Sequence, residues 1–317
     1  MLLIIWSSVF TLIYITTDKG EKYHLTTNAG LLGSELMGTF VSLNDFQAKS
    51  SKGASVLLPG SGKNDHLDMR SAAQNITAPT NGDKWTNTRL SLDLVDIGLD
   101  ISFKPTGKNF YYAGGGGIAL LPAPRPAEDM ISKVVPSWSW YWANPHVRIN
   151  GTLTIEGETK KVDPKRSFAL FERQWGDFHI GRGYYALWFY LETGEVLISW
   201  NMEPDKNGVS KVAFSSIWHP NGLHEVIPVG PKSRAWDITT SMKTGYKYFN
   251  RFFLDLPARD ASFDFTKWFR EAELYPSMPE QMHQYINISE SYGEGAAHWN
   301  GRKVRFYGHV EQLSRLT

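Results

Sequence analysis

The chain is 317 residues long, 42% hydrophobic and 21% charged, with 33 basic residues against 32 acidic ones and no cysteine. That length holds one large or two ordinary domains. The composition excludes a disordered chain and a binder of phosphate backbones, and the lack of cysteine excludes disulfides, thiolate nucleophiles and cysteine-held zinc or iron–sulfur centres.

Residues 1–15 are almost wholly apolar and give way to Thr16-Thr17-Asp18-Lys19. A membrane-spanning helix needs roughly 20 apolar residues, whereas a secretory leader is shorter, so residues 1–17 are expected to be a signal peptide, with a buried strand as the alternative. Membrane contact is expected only if that leader stays uncleaved. The sequons at Asn75, Asn150 and Asn287 point the same way, towards a secreted or secretory glycoprotein. Gly60-Ser61-Gly62-Lys63-Asn64 lacks the spacing of a P-loop. Leu90 to Ile101 alternates in part, like a half-buried strand. Gly114 to Gly117 suits a loop or a close approach of two backbones. Arg125 to Val135 and Phe265 to Leu274 are the plausible helices. Val147 to Val162 and Tyr184 to Met202 suit hairpins, turning at Glu156-Gly157 and Thr193-Gly194, and Gly301-Arg302-Lys303 marks a third turn. Many short strands with turns between them predict an all-β chain of antiparallel barrels or sandwiches, with few short helices. The polar, proline-containing segment Val162 to Arg166 is the best boundary, giving domains at 18–164 and 165–317.

Twelve tryptophans make the chain unusually rich in indole. Pro136-Ser137-Trp138-Ser139-Trp140-Tyr141-Trp142-Ala143-Asn144-Pro145 is one dense run, and Phe171-Glu172-Arg173-Gln174-Trp175-Gly176-Asp177 follows it. Aromatic walls with a few polar groups between them suit a bulky apolar small molecule. Trp138, Trp140, Tyr141, Trp142, Trp175, Trp188, Tyr112 and His146 are the expected binding residues. Glu172, Arg173, Gln174 and Asp177 are the expected catalytic ones. In an extended strand Glu172 and Gln174 face one way, and Arg173, Trp175 and Asp177 the other. The competing reading is an internal Arg–carboxylate pair beside a purely structural aromatic core. Histidines are scattered without metal-ligand spacing, and no nucleophile elbow or His-Glu-x-x-His helix occurs. Neither a metal nor a cofactor is expected, nor is nucleic acid, and any chemistry must run on side chains, shape and exclusion of water.

Gly151-Thr152-Leu153-Thr154-Ile155-Glu156-Gly157 leading to Glu172-Arg173-Gln174-Trp175-Gly176 is similar to a signature segment of the hydroxyneurosporene-synthase/AttH-like superfamily. Tyr292-Gly293-Glu294-Gly295, Trp299-Asn300-Gly301 and Tyr307-Gly308-His309-Val310-Glu311-Gln312 look like its closing strands, with Gly293 and His309-Val310 departing from the pattern. The Pro-Ser-Trp-x-Trp-Tyr-Trp-Ala-Asn-Pro run resembles the fungal kievitone-hydratase-like branch. The resemblance spans roughly residues 85 to 317. It implies two lipocalin-like β domains, no cofactor, and membership of a group that includes carotenoid and isoflavonoid hydratases and fungal Diels–Alderases.

The first functional expectation is therefore a cofactor-independent pericyclase of secondary metabolism, such as one joining a terpene to a quinone-methide partner. Holding two reactants in one pose can supply on the order of 7–11 kcal/mol. Arg173, Gln174 or a protonated Glu172 would donate to the electron-poor partner. The alternative within the group is a hydratase of a prenyl or other alkene, with Glu172 or Asp177 as the acid. The alternative of another class is a lipocalin-like carrier that catalyses nothing.

Overall fold

The computed structural model describes residues 6–33, 35–63, 65–82, 84, 86–119, 138–176, 183–276 and 287–314. They form twenty-three strands, numbered here in chain order, and two one-turn 3-10 segments. They divide into two units, one built from residues 6–109, 117–176 and 274–276, the other from 110–116, 183–273 and 287–314. The all-β expectation holds. The expected helix at Phe265 to Leu274 does not form: Phe263 and Phe265 alternate inward as a strand that ends at Thr266. The expected helix at Arg125 to Val135 lies outside the described residues.

The first unit is a closed antiparallel barrel of ten strands. In order around it come β1 (Trp6–Thr16), β2 (Lys22–Leu32), β3 (Leu36–Asp45), β4 (Ser50–Gly62), β5 (Asp68–Ser71), β6 (Gln74–Thr77), β7 (Thr88–Leu94), β8 (Ile97–Pro105), β11 (Trp138–Ile155) and β13 (Phe168–Gly176). Short strands β10 (Gly117–Ala119), β12 (Glu158–Lys161) and β21 (Tyr275–Pro276) add to it. Alternate residues fill the interior, among them Val9, Ile13, Leu25, Leu90, Ile101 and Ile149, as the two-residue strand period requires.

Three expectations change here. The apolar run near the start is β1, hydrogen-bonded to β2 on one side and β13 on the other, with Leu12 and Ile13 wholly buried. Removing residues 1–17 would take out a barrel stave, so residues 6–16 belong to the folded domain and do not serve as a cleaved leader. The secretory expectation loses that support. The division between units falls after β13, not at residue 164, because β13 pairs with β1 and β11. Leu90 to Ile101 is a hairpin of β7 and β8, turned at Val95-Asp96, where Val95 takes a φ of 57°. The hairpin at Glu156-Gly157 forms as expected, both residues having positive φ.

The second unit is a nine-stranded antiparallel sheet in the order β17 (His224–Pro228), β16 (Ser210–Trp218), β15 (Val196–Pro204), β14 (Gly183–Leu191), β23 (Arg302–Ser314), β22 (Ile288–Trp299), β20 (Ala261–Thr266), β19 (Lys247–Leu256) and β18 (Arg234–Thr240). The short β9 (Phe110–Tyr111) and the turn Tyr112–Gly114 also belong to this unit. Tyr185, Leu187, Phe189 and Leu191 of β14 point into its core, with Phe252, Phe263, Phe306 and Val310. Their neighbours Tyr184, Ala186, Trp188 and Tyr190 face the other way and are buried as well. A strand buried on both faces has no solvent side for polar groups, so any polar group on its second face must be matched within the protein.

Candidate active site

That second face carries a cluster of ionisable groups. Cross-strand register sets Ala186, Glu311 and Glu290 in one row across β14, β23 and β22. Trp188, His309 and Tyr292 form the next row. His309 and Glu311 are two apart on β23, hence on one face. Gly308 lets β14 and β23 lie close beneath them, since a Cβ there would fall 1.8 Å from the Trp188 carbonyl oxygen.

His309 Nε2 lies 2.6 Å from Glu290 Oε2, and both side chains are 0% exposed. At that separation the two form a buried ion pair when the imidazole is protonated. Tyr184 donates its hydroxyl to Glu311 Oε1. Burial pushes the Glu311 carboxyl up to about 7, and the Tyr184 bond pulls in the opposite direction. Around these groups stand aromatic rings. Trp188 lies 5.4 Å from the His309 ring and 5.8 Å from Trp200, while Tyr184 lies 5.0 Å from Trp200. The Trp188 indole N–H donates to the Tyr112 hydroxyl at 3.1 Å.

Glu290, His309 and Glu311 each bring a donor atom within 4.8 Å of the others. Two carboxylates and an imidazole are a donor set a divalent cation can use. Here those atoms already face one another, and a carboxyl whose pKa is raised to about 7 beside a close imidazole–carboxylate pair sets an acid next to a base. Environments that push titrating groups apart in this way are the mark of acid–base machinery.

The sequence-predicted residues divide between the units. Tyr112 and Trp188 lie at this cluster. Glu172, Arg173, Gln174 and Trp175 lie on β13 in the first unit. Glu172 is 1% exposed and points out of the barrel, as does Gln174, whose amide donates to Ser139 Oγ at 2.8 Å. Arg173 points inward, donating to Ser7 Oγ at 3.2 Å. Glu172 and Arg173 sit on opposite faces and form no internal pair. Asp177 and the Trp138 side chain lie outside the described residues. Trp140 stacks on Trp175 with ring centroids 6.4 Å apart, Trp142 leans on Phe171, and Tyr141 is buried on the opposite face. His146 is half-buried in the first unit, its pKa lowered by burial. Asn150 is exposed and Asn75 half-buried, but Asn287 is 1% exposed and offers no side chain to a glycan. A shallow groove of about 380 Å³ between β7, β8 and β11 contains none of the predicted residues.

Sequence reasoning passed over Glu290, His309, Glu311 and Tyr184. The available signal was Tyr307 to Gln312, where His309 and Glu311 alternate at the spacing that puts them on one face of a strand.

No protein-family model matches the chain. It is 25% identical over 185 residues to dehydratase asqC of Emericella nidulans, covering 56% of this chain and 48% of that protein. It is also 25% identical over 240 residues to kievitone hydratase of Fusarium solani subsp. phaseoli, covering 70% of this chain and 59% of that one. The matches thus span less than two thirds of either relative. Among solved structures, kievitone hydratase from Nectria haematococca superposes with a TM-score of 0.78 at 18% identity, over 98% of this chain and 89% of that one. The fold is the one kievitone hydratase has. A putative AttH from Nitrosomonas europaea follows with a TM-score of 0.74 at 14% identity, over 98% and 93% of the two chains. The resemblance to the kievitone-hydratase-like branch and the lipocalin-like fold therefore hold, and the sequence relatives carry enzyme names.

Proposed function

We propose that the chain is a hydro-lyase, adding water to an alkene of an apolar natural product or removing it from the corresponding alcohol. The observation that carries this reading is the buried Glu311 carboxyl, its pKa raised to about 7, beside the His309–Glu290 pair. In the hydration direction the Glu311 proton passes to one alkene carbon and leaves a carbocation at the other. The π-faces of Trp188 and Trp200 steady that cation. Water attacks it and gives up a proton to the His309–Glu290 pair, and a proton relayed across the cluster restores Glu311. The sum is alkene plus water giving alcohol, and the reverse sequence is dehydration. The names of the two curated relatives, a hydratase and a dehydratase, fit the two directions.

A carrier needs walls alone and gains nothing from a carboxylic acid at this depth. Cycloaddition, the first expectation from the sequence, is the second reading: a protonated Glu311 could equally donate to a reactant's carbonyl. Turnover of kievitone and a panel of prenylated phenols in 18O-labelled water separates the two. Hydration places the label in the product and is abolished at every pH in E311Q. Product without label, or an active E311Q, removes the hydro-lyase reading.

A further inference from the structure

The first barrel holds a charge that its described residues leave without a carboxylate partner. Along β13 the inward side chains run Phe171, Arg173, Trp175, from sealed core to barrel end. Arg173 reaches Ser7 Oγ at 3.2 Å and Met69 Sδ at 3.8 Å, and among the described residues it forms no ion pair. Desolvation draws its pKa down to about 10. Surface arginines of the same chain, such as Arg70, Arg89 and Arg305, each hold a carboxylate. A guanidinium offers five donors in a planar fork that matches a carboxylate, and here most of that capacity is unused.

The walls beside it are indole. Cross-strand register sets Trp142 opposite Arg173 and Trp140 opposite Trp175. Trp142 packs on the barrel core, and Trp140 and Trp175 stack face to face. Trp140 is 40% exposed, so the stack is reachable from solvent. A desolvated cation is costly unless paired, and a flat aromatic surface next to it takes the apolar body of whatever pairs with it.

We infer that this end of the first barrel is a second ligand site, taking an amphipathic monoanion whose carboxylate sits on Arg173 and whose flat apolar body lies on Trp140 and Trp175. The Glu311 cluster belongs to the other unit.

Isothermal titration with 2-naphthoic acid and with the neutral 2-naphthalenemethanol, at pH 7.5, tests the assignment. The wild type binds the acid at least tenfold more tightly than the alcohol. R173M removes that preference and weakens the acid at least tenfold, with the alcohol changed less than twofold. Its thermal midpoint equals or exceeds that of the wild type, because a half-buried charge with no carboxylate among the described residues has gone; a structural arginine would lower it. W140A, altered at a reachable position, weakens both probes. The inference is overturned if the wild type binds acid and alcohol alike or binds neither, or if R173M keeps the preference. The wild-type comparison needs no variant, so a variant that fails to fold does not shield the idea.

Discussion

Replacing Glu311 with Gln should make the stability of the protein less sensitive to pH, by an amount the structure sets. Burial raises the carboxyl from 4.5 to about 7 in the folded state. The folded protein therefore holds this proton more tightly than the unfolded chain does. Below about pH 4.5 both states are protonated and the group carries no penalty. As pH rises from 4.5 to 7 the unfolded state releases its proton first, and stability declines. Above 7 both states are ionised and the loss is complete. With 1.36 kcal/mol per pH unit, the full loss is about 3 kcal/mol. The amide introduced by E311Q does not titrate, and its oxygen can still accept from Tyr184. Urea unfolding of wild type and E311Q, followed by tryptophan fluorescence at pH 4.5 and pH 8, reads the effect of this carboxyl together with the groups it contacts. The variant should gain about 3 kcal/mol on the wild type between the two pH values. A difference that does not change with pH would falsify the claim that burial raises the pKa of this carboxyl.

Y184F removes a bond that favours the charged form of Glu311, so the alkaline limb of the pH–rate profile should move up, by on the order of one pH unit. A limb that stays put or moves down contradicts the coupling. G308A would force a Cβ against the Trp188 carbonyl oxygen at 1.8 Å; overpacking backbone in this way should cost about 3 kcal/mol and be seen as a lower thermal midpoint. Deleting residues 1–17 should yield insoluble or molten protein, since Val9, Leu12, Ile13 and Ile15 leave the core, each buried side chain contributing roughly 1.5–3 kcal/mol. A soluble, cooperatively unfolding product would show that β1 is dispensable.

Strand periodicity and turn chemistry were legible in the chain. Glu156-Gly157 turns the β11–β12 hairpin, and the strands around Thr193-Gly194 pair as β14 with β15. The two faces of Glu172 and Arg173 also followed from the two-residue period. What local pattern could not reveal was burial on both sides of β14 and β23. In an isolated strand, His309 and Glu311 alternating with Gly308 and Val310 suggest a wetted edge. Only the pairing of distant strands turns that edge into interior, and with it turns ordinary acids into perturbed ones. The apolar start of the chain failed for the same reason: eleven residues of β1 look alike whether they are bound for a translocon or for a barrel.

The barrel closes on itself through contacts far apart in the chain, and that has a price in time. The Thr16 amide donates to a hydroxyl at Ser167, 151 residues later. At the usual pace of roughly 5–20 residues per second, a ribosome spends about 8–30 s making the intervening stretch. Throughout that interval β1 has β2 on one flank and an open row of amides and carbonyls on the other. A nascent chain in this condition is a template for misplaced strands, and cells that express it well should keep a chaperone on it until β13 emerges.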